Sequence, residues 1–189
     1  MRRETLPAVC IALLVVACLV LAGCGPGTAT YSKYGVEFEY PADFTLIESG
    51  QPGDEPTEIS GIVEVRQEGG GTRSFRVQWL NTIVHYTDPQ AQVEEMLDLM
   101  EQAEGIESLE RGEMRLGAVI GYPTSTQYYK VTTPGGSEAY GIVAATYFTQ
   151  SQMVFSFITR TGAVSSADDV FEDFDGYMES FRYVQPGGE

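Results

Sequence analysis

Residues able to do chemistry are few in this 189-residue chain. A serine or threonine nucleophile needs a base beside it, and His85 is the single histidine available. It stands beside Tyr86 just ahead of Asp88, where an imidazole has an ordinary place as an exposed or locally bonded side chain. There is no Gly-x-Ser-x-Gly elbow, no His-Glu-x-x-His pair and no phosphate-binding glycine loop. Carboxylates are the other chemical resource, as an acid-base pair or as calcium ligands. Glu37 and Glu39 alternate onto one side of a strand, and Asp168, Asp169, Glu172, Asp173 and Asp175 gather in one helical stretch. That cluster lacks the one, three, five, glycine-six register of a calcium loop, and carboxylates in a first helical turn also answer the helix dipole. The sequence therefore assigns no catalytic residue, no metal site and no cofactor.

Aromatic residues remain. Eleven tyrosines accompany the lone Trp79, and such side chains combine a large rigid surface with one polar handle. Trp79, Tyr128 and Tyr129 are the candidates for a patch that binds a ligand or partner. Tyr128 and Tyr129 are consecutive in a strand and must point to opposite faces. The competing role for all three is cross-strand packing.

These residues need a scaffold, and its elements are legible. Val36, Phe38 and Tyr40 alternate with Glu37 and Glu39, and Pro41-Ala42-Asp43 separates them from a short strand over Phe44 to Ile47, a hairpin-like opening. Strands over Ile59–Arg66 and Arg73–Leu80 follow, joined around Gly69-Gly70-Gly71. Asp88 and Pro89 start a helix whose apolar stripe is Val93, Met96, Leu97 and Met100, and Gly105 suits the left-handed position after its end. Four more strands are expected over Glu113–Ile120, Ser125–Thr133, Ser137–Phe148 and Met153–Arg160. Both alternating sets of the third, in Ala139 to Phe148, are apolar or small, as in a strand covered on both faces. A last helix begins at Ser166, with Val170, Phe171, Phe174, Tyr177, Met178 and Phe181 inward. One helix in the middle and one at the end suggest an α+β fold, an antiparallel sheet with a helix packed on each face.

The chain opens differently. Arg2 and Arg3 precede an apolar run over Ala8 to Ala22, about 22 Å as a helix and so short of a bilayer core. Gly23, Gly25, Pro26 and Gly27 end it, the layout of a secretory signal. Leu21-Ala22-Gly23-Cys24 resembles the lipobox of bacterial lipoprotein signal peptides. The resemblance implies cleavage before Cys24, a diacylglycerol on its sulfur and, in some members, a further acyl chain such as palmitate on the new amine. Cys10 and Cys18 would leave with the leader, so no disulfide, thiol nucleophile or cysteine-bound metal is expected in the mature chain. The formal net charge of −16 becomes more negative still when Arg2, Arg3 and Glu4 are lost. Such acidity argues against nucleic acid and against adhesion to anionic lipid surfaces, leaving the lipid on Cys24 as the attachment.

The expected organisation is a signal peptide over 1–23, a tether over 24–30 carrying the lipidated Cys24, one domain over 31–184 and a disordered tail over 185–189. A second resemblance covers most of that domain. "YGVEFEYPADF" at Tyr34–Phe44 resembles the opening of PsbP-like proteins, and "MESFRYV" at Met178–Val184 the end of their last helix, although Phe44 stands where tryptophan is common. The resemblance implies an α/β/α sandwich and a binding or assembly role, since the group holds photosystem II extrinsic subunits and bacterial lipoproteins without established catalysis. The functional expectation is a membrane-anchored, extracytoplasmic lipoprotein that binds a protein or small ligand. A cell-envelope hydrolase using carboxylates and a structural accessory subunit of a membrane complex are the alternatives.

Overall fold

The computed structural model describes residues 27–50, 55–67, 73–81, 88–162 and 167–184. Cys24, the leader, His85 and Ser166 lie outside the described residues, as do residues 185–189. No helix among the described residues is long and apolar enough to cross a membrane.

The strands are β1 (Thr28–Lys33), β2 (Val36–Pro41), β3 (Phe44–Ser49), β4 (Ser60–Gln67), β5 (Ser74–Asn81), β6 (Ser108–Val119), β7 (Tyr122–Thr132), β8 (Glu138–Phe148), β9 (Met153–Thr161) and β10 (Arg182–Tyr183). The helices are α1 (Pro89–Glu101), between β5 and β6, and α2 (Ala167–Ser180), between β9 and β10. All strand pairings are antiparallel. Among the described residues the fold is therefore mostly antiparallel β with two helices, and it departs from the single sheet expected. Strands β3-β4-β5-β9-β8-β7-β6 form one sheet in that order, while β1-β2-β10 form a second. The opening is not a hairpin of β2 with β3. Pro41 closes β2 without a backbone donor for further pairing, and β3 joins β4 instead. Thr28 to Thr30, read as tether, pair with Pro41, Tyr40 and Glu39 as the start of β1.

Local signals set the helix ends. The Asp88 side chain accepts a hydrogen bond from the Gln90 N–H at 3.0 Å, Pro89 takes the first turn, and Gly105 sits at φ +87° four residues past the last helical one. β6 begins at Ser108, five residues earlier than its apolar pattern suggests. It is the sheet edge, with only β7 beside it, so pairing rather than burial defines it.

The core divides by strand alternation. Ile142 and Ala144 of β8 share one cluster with Phe75, Phe155 and Phe157 of the large sheet, Val170, Phe174 and Tyr177 of α2, and Tyr31 and Phe38 of the small sheet. Val143 and Ala145, one residue out of step, share another with Val93 and Leu97 of α1 and with Tyr129 and Val131. The first cluster is the larger and is rich in ring contacts: Phe75 stacks on Tyr177 at 4.2 Å between centroids and meets Phe38 edge-on at 5.3 Å.

Lys33 of β1 joins the small sheet to Glu48 of β3 through a 2.8 Å ion pair. The Lys33 hydrogen bond, helped by Tyr31, holds the Glu48 carboxyl below its ordinary value of 4.5. A carboxyl lowered in the folded state stabilises that state above its unfolded value, and the contribution fades as pH falls through the folded one. Acid titration of stability should therefore show a loss below about pH 4.5 that shrinks in Glu48→Gln. Superimposable acid profiles for the two proteins would refute this latch.

Candidate functional site

Two clefts stand against the large sheet, on opposite sides of β9. The first, about 660 Å³, lies along α2 and the end of β2 and collects carboxylates: Glu39, Asp169, Glu172 and Asp173 line it with Arg73 and Tyr177. Asp173 is ion-paired with Arg73, and Asp169 is also engaged. Glu37, the other carboxylate of the expected strand pair, is not among the lining residues and accepts a hydrogen bond from the Ser32 hydroxyl at 3.1 Å. Among the described residues no group of three or more His, Cys, Asp or Glu is placed to hold a metal ion.

The second cleft, about 620 Å³, is built differently. Helix α1 packs on β6, β7 and β8, and its packing on β4, β5 and β9 is slight at most. Where its C-terminal end stops, the sheet face continues as a floor carrying Glu64 and Arg66 of β4, Ser74 and Arg76 of β5, and Ile158 and Arg160 of β9. Met100, Ala103 and Ile106, from that end of α1 and the turn after it, form an apolar wall, with Glu104 at the rim. Arg111 anchors the wall by pairing with Asp98 and Glu101 of α1 at 2.8 and 2.6 Å. The other face of β4 and β5 is closed: Val63, Val65, Phe75 and Val77 have no exposed surface.

The three sequence-selected aromatics do not form a common surface patch. Trp79 is 1% exposed, its ring lying over Gly61 on β4 and its indole N–H donating to the Thr57 carbonyl at 2.9 Å. Tyr129 is 3% exposed; its ring covers Gly141 of β8 and its hydroxyl donates to the Thr159 carbonyl at 2.9 Å. Half-buried Tyr128 points the other way and packs beside Gly112 of β6, at the bulge between Arg111 and Met114. Each is a cross-strand lid on a neighbouring glycine. Of the three, Tyr129 is the one that lines either of these two clefts, the second. Burial pushes its hydroxyl well above the usual tyrosine range, and Arg160 pulls in the opposite direction.

Residue-type reasoning passed over the arginines of this cleft. Arg66, Arg76 and Arg160 come from three strands, 94 positions separating the first from the last in sequence, so no spacing announces them. The one available signal was their scarcity, since the chain has 11 Lys and Arg against 27 Asp and Glu.

This arrangement, antiparallel strands in two sheets with two helices among the described residues, is shared with solved structures of other proteins. The solution structure of CyanoP, the cyanobacterial PsbP of Synechocystis sp. PCC 6803, is similar with a TM-score of 0.60 and 20% sequence identity, over 86% of this chain and 96% of that one. The Saccharomyces cerevisiae Ran-binding protein Mog1p is similar with a TM-score of 0.56 and 13% identity, over 85% and 97%. A single-site mutant of Mog1 gives 0.52 and 12% over the same shares. These likenesses show a PsbP- and Mog1-like fold. No protein-family model and no curated protein matches the chain.

Proposed function

We propose that this chain is a non-catalytic binding module of the cell envelope, held at the outer face of a membrane by lipid on Cys24, and that it takes a small ligand in the cleft beyond the end of α1. The anchor rests on the Leu21-Ala22-Gly23-Cys24 motif and the short leader before it. In this reading α1 and α2 cover opposite faces of the large sheet, and α1, with no second sheet to help it, leaves part of its face open. That open, concave floor of mixed polar and apolar lining is the observation that carries the proposal. Ran binding by Mog1p supports a binding role for this type of scaffold, although the likeness itself extends to the fold. The acidic cleft along α2 is what a carboxylate hydrolase would need, but its Asp173 is committed to Arg73.

Mass spectrometry of the full chain isolated from its own membranes tests both halves. Denaturing spectra should show a polypeptide beginning at Cys24 with a diacylglyceryl adduct, and Cys24→Ser should leave the membrane fraction. Native spectra should show a co-purified small molecule that Ser74→Trp, which fills the cleft floor, no longer retains. An intact initial methionine without an adduct would remove the anchor. A bare protein in every preparation, unchanged by Ser74→Trp, would remove the cleft.

A further inference from the structure

Strand register places the cleft's charges in a definite pattern. Ser74 pairs with Arg66 on one side and Arg160 on the other, so the two arginine backbones flank a small hydroxyl residue at about 10 Å, two strand spacings. Arg76, two residues along β5, points to the same face and pairs with Glu64 and Ile158. Beyond Arg160 the row runs to Gly141, which has no side chain, and then to Tyr129, whose ring lies over that glycine.

An arginine on the open face of a sheet ordinarily finds a carboxylate across the strand, and this chain has 27 acidic residues to supply one. That is not what happens here. Glu64, directly across from Arg76, turns instead to Arg66, which donates to its Oε1 from Nε and Nη2 at 3.1 and 2.8 Å. Among the described residues Arg76 and Arg160 have no ion pair, and the Nε of Arg76 is buried without a hydrogen-bond partner. Glu104, on the rim, is not paired with either. A buried guanidinium donor left unsatisfied is costly, and a planar fork of donors fits a carboxylate or phosphate. The opposite wall, Met100, Ala103 and Ile106, together with Ile158 of the floor, offers apolar contact.

Resting on the cleft being a ligand site, we propose that it takes an anionic amphiphile, a small molecule with a carboxylate or phosphate head and an apolar body. Arg76 and Arg160 hold the head beside Ser74, and the body lies toward the end of α1. The surrounding domain is acidic and repels anions, so it is the guanidinium groups of Arg76 and Arg160, without ion pairs among the described residues, that accept one here.

Calorimetry on the full chain in phosphatidylcholine nanodiscs, with empty nanodiscs as the blank, tests the assignment using hexyl phosphate, hexanoate, 1-hexanol and inorganic phosphate. Hexyl phosphate, hexanoate or both should bind, and the stronger of the two identifies the head. Hexanol and inorganic phosphate should each bind at least about tenfold more weakly, since one lacks the charge-assisted bonds and the other the apolar body. Arg160→Gln, at an exposed position where folding is not at issue, and Arg76→Gln should each weaken the preferred acid by about tenfold. Equal affinity for hexanol and the acids, or acid binding unchanged in both variants, overturns the anion assignment while leaving the cleft a binding site. Inorganic phosphate binding as tightly as hexyl phosphate overturns the amphiphile. Absence of binding by all four probes overturns the assignment, and with Ser74→Trp retaining the native co-purified molecule, the cleft reading falls too.

Discussion

Replacing Trp79 with alanine is expected to destabilise the domain by about 3–5 kcal/mol, the range for emptying a large aromatic from a packed core. For a domain of this size that corresponds to a fall of roughly 6–20 °C in Tm. Two losses combine. The ring is 1% exposed and fills the space above Gly61, where even a single Cβ would stand 2.2 Å from it, so its removal leaves a void where the chain enters β4 beside the end of β5. The indole N–H also satisfies the Thr57 carbonyl, which anchors the segment entering β4. Trp79→Phe separates the two, keeping most of the apolar contact and losing the donor, and should cost about 1–2 kcal/mol. Chemical unfolding of the three proteins under one set of conditions measures this. A loss below about 1 kcal/mol for the alanine variant would mean that Trp79 is not the packed lid described, and would return it to the role of a surface anchor.

Gly141→Ala is expected to be comparably severe, about 3 kcal/mol or more, although it adds a single carbon. A Cβ at Gly141 would lie 2.1 Å from the Thr159 carbonyl oxygen and 2.5 Å from the ring and hydroxyl of Tyr129. The ring could swing aside, but the carbonyl belongs to the backbone of β9, and β8 and β9 are central strands that cannot part without disturbing the core on both faces. The double variant Gly141→Ala with Tyr129→Phe should recover less than half of the loss, because the backbone contact persists. Since Tyr129 lines the arginine cleft, the displaced ring should also reduce ligand retention there. A Gly141→Ala protein that melts within 2 °C of the parent, where roughly 2–4 °C corresponds to 1 kcal/mol, would show that the strands yield easily and contradict this account.

The paired effects explain why the aromatics looked like binding residues. Trp79, Tyr128 and Tyr129 are polar-handled rings in strands, and residue type alone does not distinguish an anchor awaiting a partner from a lid already seated. The deciding residues are Gly61, Gly112 and Gly141, each on an adjacent strand and between 12 and 18 positions away in sequence, brought opposite only by register. The arginine cleft was hidden for the same reason. The β4–β5 pairing sets Arg66 and Arg76 on one face, and Arg160, more than eighty positions further on, joins them only because β9 inserts beside β5.

Local order was legible because it is written within a few residues. The period-two alternation of β5, the Asp88-Pro89 start of α1 and the two apolar faces of β8 each follow from backbone geometry that neighbouring residues enforce. Lateral order was not, because which strand lies beside which depends on the burial of the whole apolar surface, a sum over contacts distant in the chain. Tertiary packing alone therefore separated β2 from β3 into different sheets, seated the aromatics over their glycines, and gathered the arginines on the part of the sheet that α1 is too short to cover.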